Sequence, residues 1–161
     1  MLRVHSPIGN IFHDEEFANM KEGTYEVLKA SRVELEKRIL RRRTEQGTDI
    51  GLSLNNGIKL HHGDVIRSEE HIVVIKQLPD KVITVKMKNK EKKDVGILLG
   101  HIIGNRHRPI SIHNDEVSFP VLVDSELEVF SKLFSEIMDS IYIKIEEKIF
   151  VPHSGADVHE H

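Results

Sequence analysis

Residues 94–110 read DVGILLGHIIGNRHRPI, and this stretch decides the fold of the second half of the chain. Its apolar residues recur at helical spacing: Val95, Leu98, Leu99, Ile102 and Ile103. Such an i, i+3, i+4, i+7, i+8 stripe is typical of an amphipathic helix. Gly104 and Asn105 favour a C-cap directly after the stripe, and Pro109 prevents the helix from continuing. The stretch therefore predicts a helix from about Asn89 to Gly104, followed by a loop whose direction the proline fixes.

The segments around this helix complete a strand–helix–strand–strand–helix–strand order. Alternating apolar residues predict four strands, at 82–87, 110–112, 117–123 and 142–150. Ser125 and Glu128 form an S-x-x-E pattern that predicts a capping box at the start of the second helix. That helix has its own apolar stripe: Leu127, Phe130, Phe134, Ile137, Met138 and Ile141. The β-α-β-β-α-β order is the signature of a ferredoxin-like domain, which we place at residues 79–150.

The first half of the chain predicts a different, β-rich domain at residues 1–76. Its predicted strands are 24–31, 32–44, 49–54 and 69–76, separated by turn-forming Asn, Gly and Asp residues. We interpret it as a small all-β domain of short antiparallel strands, with a bulge where Ile39 and Leu40 break the alternation. Pro79 marks the joint between the domains, because proline interrupts both strands and helices. The fold class is therefore α+β, and residues 151–161 are predicted to form a flexible, histidine-containing tail.

Composition narrows the classes of function. The chain has 161 residues, no cysteine and 11 histidines, and it carries a net charge of −3. The lack of cysteine excludes disulfides and thiolate ligands, and the negative charge argues against nucleic acid as a partner. No apolar run is long enough to cross a membrane, and the N-terminus does not resemble a secretory signal. We therefore expect a cytoplasmic protein without a membrane partner, in which any metal is bound through nitrogen and oxygen ligands, with the histidines the unusual feature.

The two histidines of the opening stretch differ in position. His101 lies within the helix, and we interpret it as a partly buried imidazole with a hydrogen-bond partner. His107 follows the predicted cap and lies between Arg106 and Arg108. Its spacing leaves two interpretations open, a solvated loop histidine and a functional histidine presented by a structured loop.

A single histidine is a poor metal site, since zinc-type sites use about three or four protein ligands. A two-fold dimer would bring two copies of His107 together on its axis. The tail offers further imidazoles at His153, His159 and His161, and an extended tail reaches at most ~30 Å from Phe150 to His159. These residues are therefore the candidate metal ligands, and the alternative for the tail is a solvated, disordered end.

Motifs of common enzymes are missing from the sequence, which has no glycine-rich phosphate loop, no G-x-S-x-G and no H-E-x-x-H. The run Arg41-Arg42-Arg43 lies close to several glutamates, so we interpret it as a solvated strand of mixed charge. We expect no enzyme activity. Two alternatives stay open from the residues: a metal-dependent enzyme that uses His107 as a catalytic ligand, and a protein-binding adaptor whose histidines are incidental.

Gly104-Asn105-Arg106-His107, followed by Pro109, resembles the signature of the urease accessory protein E family, the nickel metallochaperones. The resemblance extends over nearly the whole chain. RVELEKRILRRRTEQGTDIGLSLNNGIKLHHGDVI (residues 32–66) is similar to the family's N-terminal domain, with a basic strand, a G-x-x-L strand and a G-D turn in that order. The tail, which ends in HEH, resembles the histidine-bearing tails of the family.

This resemblance implies a homodimer with a β-rich, partner-binding N-terminal domain and a ferredoxin-like metal-binding domain. His107 would be the interface ligand from each subunit, supplemented by His159, His161 and, more weakly, His153. The cargo would be Ni(II), with Zn(II) or Cu(II) able to substitute. The implied partners are the urease accessory GTPase and the urease apoprotein complex, to which the chain would deliver nickel during urease maturation.

Two departures from the family pattern refine the expectation. Some members carry a further histidine pair at the positions of Val121 and Val123, and these apolar residues exclude that extra site here. Other members have long polyhistidine tails, whereas this tail is sparse. We therefore expect few ions per dimer and a delivery role, not a storage role.

Overall fold

The computed structural model describes residues 2–153 and divides the chain into two compact units. The first unit ends at Leu78 and the second begins at Pro79. Both contain strands and helices, so the chain is mixed α+β, as the sequence predicts. Within the described residues, no helix is both long enough and apolar enough to cross a bilayer.

The first unit contains two sheets and two one-turn helices. Its elements in chain order are β1 (Leu2–Val4), β2 (Gly9–Asn10), α1 (Glu15–Ala18), β3 (Glu26–Ala30), α2 (Arg32–Leu35), β4 (Ile39–Arg43), β5 (Asp49–Ser53), β6 (Asp64–Ser68) and β7 (His71–Gln77). The strand order is β1-β5-β4 in one sheet and β2-β6-β7-β3 in the other. Each sheet contains one parallel pair, β1 with β5 and β3 with β7.

Two predictions for this unit were wrong. It is not all-β, because residues 32–44 form a helix followed by a strand and not one bulged strand. The Ser31 side chain accepts a hydrogen bond from the Glu34 amide, and the Glu34 carboxylate accepts one from the Ser31 amide. This capping box satisfies the first amides of α2 and outweighs the strand-like alternation. The strands are also not purely antiparallel, because pairing depends on contacts distant in sequence.

The second unit has the predicted order of elements. They are β8 (Asp80–Met87), α3 (Lys93–Gly104), β9 (Ser111–His113), β10 (Glu116–Pro120), α4 (Glu126–Leu133), a 3₁₀ helix (Ser135–Ser140) and β11 (Ile141–Lys148). The sheet order is β11-β8-β10-β9, with all neighbouring strands antiparallel. The two helices share one apolar cluster with the sheet, centred on Ile83, Phe119 and Phe130.

The start of α4 differs from the prediction. Ser125 has a helical backbone conformation and its side chain makes no capping hydrogen bond. The carboxylate of Glu126 instead accepts hydrogen bonds from the Leu122 and Val123 amides, at 2.5 and 3.4 Å. The helix also ends at Leu133, and its apolar stripe continues through the 3₁₀ helix.

Candidate metal centre

The end of α3 presents the GNRH segment. Three residues of this helix are buried in the core of the second unit: Val95, Leu99 and Ile103. Asn105 caps the helix, and its amide donates to the His101 carbonyl at 3.0 Å. The turn continues with hydrogen bonds from the His107 amide to the Gly104 carbonyl and from the Arg106 amide to the Ile103 carbonyl, each 3.0 Å. His107 therefore belongs to a hydrogen-bonded turn and not to a loose loop.

The backbone of His107 lies in the left-handed region, with φ = 51°. This conformation costs a non-glycine residue roughly 1–2 kcal/mol, although histidine is among the residues that adopt it more often. It directs the chain out of the helix axis at this point. The His107 side chain is exposed, and none of the described residues hydrogen-bonds to its ring. Both ring nitrogens are therefore accessible to a ligand.

Arg108 fixes the turn to the rest of the unit. Its guanidinium donates to the Pro120 carbonyl at 2.8 Å and forms an ion pair with Glu126. It also lies 5.5 Å from the centroid of the Phe130 ring. Burial alone would raise the pKa of the Glu126 carboxyl, but the hydrogen bonds from Arg108 and from the Leu122 amide together lower it below its ordinary value. This carboxylate thus stays ionised and holds the arginine that follows His107.

His101 does not occupy the partly buried position that its sequence context predicts. Its side chain is exposed, on a face of α3 turned away from the core. The predicted hydrogen-bond partner does exist, since the Asn105 side chain lies 3.2 Å from the His101 Nε2 atom. His101 therefore lies outside the buried face of the helix, which is formed by Val95, Leu99 and Ile103.

His153 lies close in the fold to the GNRH turn. Its amide donates to the Ile110 carbonyl at 2.7 Å, and Ile110 is three residues after His107. The preceding Phe150 is fully buried, which fixes the path of the chain into this position. The His153 side chain is exposed. His159 and His161 lie outside the described residues.

Within residues 2–153, no three His, Asp or Glu side chains cluster closely enough to hold a metal ion. The structure therefore brings none of the other described candidate ligands into a group with His107. A single copy of the described chain supplies His107 as an exposed imidazole and not as a complete coordination sphere.

An open groove of about 580 Å³ adjoins His107. One wall is the glycine-bearing face of α3, with Gly96, Gly100 and Gly104. An added Cβ at Gly100 or Gly104 would meet no atom within 4 Å, so this wall faces open space. Apolar side chains of the sheet, such as Val85 and Val117, line the groove as well. The exposed imidazole thus stands at the rim of an apolar surface.

Three other histidines have a hydrogen-bond partner within the first unit. A ring nitrogen of His5 lies 2.8 Å from the Ser53 carbonyl, and a ring nitrogen of His71 lies 2.8 Å from the Glu26 carboxylate. The His62 ring accepts a hydrogen bond from the Gln77 amide.

The sequence alone did not indicate the role of Arg108, because its partners Pro120 and Glu126 lie 12 and 18 residues away.

Comparison with known proteins identifies the relatives of this chain. Residues 4–77 match the family model described as the N-terminal domain of the UreE urease accessory protein. The urease accessory protein UreE of Lysinibacillus sphaericus is 35% identical over 115 residues, which cover 71% of this chain and 74% of that protein. The UreE of Bacillus cereus is 36% identical over 101 residues, covering 62% and 64% of the two chains. The UreE of Yersinia intermedia is 29% identical over 133 residues, covering 76% and 59%.

In the last two of these relatives, the match spans less than two thirds of the relative's length. The class of protein is nevertheless clear: it is an accessory protein and not an enzyme. The chain belongs to the urease accessory protein UreE family. Membership implies a role in the maturation of urease.

Proposed function

We propose that this chain is a cytoplasmic nickel metallochaperone that delivers Ni(II) during urease maturation by ligand exchange. The observation that carries the proposal is the state of His107. Its ring is exposed and unengaged by the described residues, while its backbone is held by the turn and by the Arg108–Glu126 pair. A neutral imidazole held this way suits borderline divalent metals, so Zn(II) and Cu(II) would also bind.

The metal is held at a homodimer interface within this proposal. One copy of the described chain offers His107 without two further ligands, and a two-fold axis would double that contribution. The apolar groove beside His107 and exposed apolar side chains such as Ile97 and Ile112, which are 72% and 52% exposed, support burial against a second copy. The β-α-β-β-α-β order supports a ferredoxin-like metal-binding domain at residues 79–150.

The tail at residues 151–161 supplies further ligands in this proposal. His153 begins it next to Ile110, so the chain leaves the described region close to the GNRH turn. The separation of His159 from His153 is short enough for its imidazole to reach back to that turn, since six extended residues span ~20 Å. His159 and His161 are therefore the proposed tail ligands, and His153 is a weaker one.

The partners in this proposal are the urease accessory GTPase and the urease apoprotein complex, contacted through the N-terminal domain at residues 1–76. The match of residues 4–77 to a urease accessory domain supports that division. A nucleic-acid role has no support from the charge of the chain, which is −3. The alternative of a metal-dependent enzyme is not retained, because the family is one of accessory proteins.

Calorimetric nickel titration of the full chain tests the proposal. His107→Asn is the informative variant, because asparagine tolerates the left-handed backbone that alanine would strain. We expect its affinity to fall more than about 100-fold, since even residues that only support a ligand contribute ~10–100-fold. His113→Asn, in an exposed histidine of the same unit, serves as the matched control and should leave nickel binding unchanged.

Sedimentation of the same samples separates the parts of the proposal. The His107→Asn variant should remain a dimer at the wild-type protein concentration. Removal of residues 154–161 should weaken nickel binding and also leave the dimer intact. Wild-type affinity in His107→Asn would overturn the interface site, and a monomeric wild type would overturn the homodimer.

A further inference from the structure

The segment Lys86–Lys93, which reads KMKNKEKK, is one of two strongly basic runs of the chain; the other is KRILRRR at residues 37–43. It contains five lysines and one glutamate, a net charge of +4 within eight residues. Because the whole chain carries −3, all the other residues together carry −7. The segment joins β8 to α3, and all five lysines are exposed. Positive charge is therefore locally concentrated in this segment, although the chain is acidic overall.

These lysines are only partly neutralised within the fold. Lys86 and Lys90 share one carboxylate, that of Asp115, at 3.6 and 3.7 Å. Among the described residues, no carboxylate lies within 4 Å of the ammonium groups of the other three: Lys88, Lys92 and Lys93. The segment thus keeps an excess of positive charge that contacts within the described chain do not absorb.

The other basic run of the chain has a different environment. Arg41 on β4 forms a two-pronged ion pair with Asp49, with hydrogen bonds of 2.6 to 3.1 Å. Arg42 is paired with Glu34. Neutralised arginines of this kind keep an edge strand soluble. What distinguishes the lysine segment from this run is the exposed aromatic ring beside it.

An exposed aromatic ring accompanies the lysines. Tyr142 on β11 is 61% exposed, and the Lys88 ammonium lies 4.9 Å from the centroid of its ring. Tyr142 is also paired across the strands with Lys86, so the two side chains lie on the same face of the sheet. Tyrosine is enriched at the energetic centres of protein interfaces, where one side of the ring is covered and the hydroxyl stays hydrated.

We propose that Lys86–Lys93 together with Tyr142, here called the basic patch, is a docking surface for an acidic segment of a partner protein. Charge complementarity supplies attraction and rapid association. Tyr142 supplies an apolar contact that a free anion would not use. Glu91 and Asp94 lie among the lysines and interrupt the positive charge that a continuous phosphate backbone would follow.

The basic patch is independent of nickel in this inference, which goes beyond the proposed function. Its test uses the full chain and a fluorescent peptide of ten glutamates with a central tyrosine, measured by fluorescence anisotropy at low ionic strength. The patch variant is Lys88→Glu with Lys92→Glu and Lys93→Glu. The matched control is Lys21→Glu with Lys37→Glu and Lys59→Glu, three exposed lysines of the first unit, which changes the net charge equally.

We expect the patch variant to bind the peptide at least about tenfold more weakly and the control to change less than about threefold, since three exposed charge contacts are removed only in the former. Tyr142→Ala should weaken binding as well, and Tyr142→Phe should restore it. Equal losses in the patch variant and the control would overturn the proposal, because net charge alone would then explain binding.

Two competitors test the class of partner. A single-stranded oligonucleotide and vesicles containing anionic phospholipid should displace the peptide poorly; displacement by either at a lower concentration than unlabelled peptide would overturn a protein partner. Nickel titration of the patch variant should match the wild type. If the basic patch does not bind the peptide but nickel binding is normal, only the docking proposal is overturned. If His107→Asn binds nickel with wild-type affinity, only the interface-site proposal is overturned.

Discussion

Two turns of this molecule contain histidines and have one residue in the left-handed backbone region, but only one of them presents a histidine ring that is free to bind a ligand. The GNRH turn at residues 104–107 has His107 in the left-handed region, at φ = 51°. The HHGD turn at residues 61–64 has Gly63 there, at φ = 87°. Glycine adopts this conformation without steric cost, whereas histidine does not. The GNRH turn therefore has an imidazole side chain at a backbone position where a side chain is energetically unfavourable. The HHGD turn has glycine at the corresponding position.

The polar groups of the HHGD turn make hydrogen bonds to other groups of the same unit. The Asn10 side chain donates to the His62 carbonyl at 3.0 Å and to the Asp64 carboxylate at 2.9 Å. The His62 ring accepts from the Gln77 amide and lies 5.2 Å from the Phe12 ring. Burial lowers the pKa of the His62 ring, and the nearby positive charge of Lys76 lowers it further. This turn is therefore structural, although the side chain of His61 is exposed.

The GNRH turn is held equally firmly, but from its flanks. Backbone hydrogen bonds and the contacts of Arg108 fix the chain, and none of them uses the His107 ring. The comparison shows that a histidine can be recognised as available for binding when its backbone is restrained and its ring nitrogens are not engaged. The number of histidines in a turn carries no such information.

The largest expected contrast is in nickel affinity. His107→Asn should weaken binding more than about 100-fold, whereas His62→Asn should leave it unchanged, because the His62 ring nitrogen is already engaged in the fold. Calorimetric titration of both variants at neutral pH measures this difference. Weaker nickel binding by His62→Asn than by His107→Asn would reverse the roles assigned to the two turns.

The next largest effect concerns the stability of the HHGD turn. Asn10 is 7% exposed, and Asn10→Ala would remove a partner from the His62 carbonyl and the Phe12 amide and one of the hydrogen bonds of the Asp64 carboxylate. We expect the free energy of unfolding to fall by about 2–3 kcal/mol. Urea denaturation followed by circular dichroism measures it. Asn56→Ala, at an exposed asparagine, is the control and should change the value by less than about 0.5 kcal/mol.

A smaller effect is expected from the pair that holds the GNRH turn. Arg108→Ala removes hydrogen bonds to Pro120 and Glu126 and should lower the free energy of unfolding by about 1–2 kcal/mol. The pKa of Glu126 is lowered in the fold, so its contribution to stability is present above its ordinary pKa of 4.5 and is lost as pH falls through the lower folded value. Arg108→Ala should therefore flatten the stability profile below about pH 4.5.

Urea denaturation at several acidic pH values measures that profile. Arg41→Ala is the matched control, because Arg41 also pairs with a carboxylate but is 69% exposed. The control should change stability at neutral pH less than Arg108→Ala does. An equal or larger change in the control would show that the Arg108 contacts do not hold the turn.

The smallest expected effect comes from relieving the backbone at His107. His107→Gly removes the left-handed penalty of a side chain but adds freedom to the unfolded chain, so the two terms largely offset. We expect a gain in stability of about 0.5 kcal/mol together with loss of nickel binding. Thermal unfolding and calorimetry on one sample measure both. A clear loss of stability would indicate that the His107 side chain supports the fold and is not held there for binding.

Much of the second unit could be predicted from the sequence, because local patterns and tertiary contacts agree there. The apolar stripe of α3 and the alternation in β8 and β11 describe surfaces that the sheet and helices do bury. The first unit was harder, because the region after Ser31 alternates like a strand while its capping box forms a helix. Its parallel strand pairs join residues more than 40 positions apart, and no local pattern encodes them.

The site shows the same division. The GNRH segment and its position after α3 could be predicted, since the stripe, Asn105 and Pro109 are local signals. The unengaged ring and the exposure of His101 could not, because they depend on which helical face meets the sheet. The candidate ligands His159 and His161 lie outside the described residues, so their roles stay predictions.

By itself, the sequence determined where α3 ends, which imidazoles the chain carries and which family it resembles, because stripes, caps and motifs are written in neighbouring residues. Only the tertiary structure decided that His107 takes a left-handed backbone and that Arg108 ties it to Pro120 and Glu126. It also decided that His153 begins the tail beside Ile110. The physical reason is that the contacts of Arg108 and His153 join segments 12 to 43 residues apart, which meet only when the sheet and helices pack together.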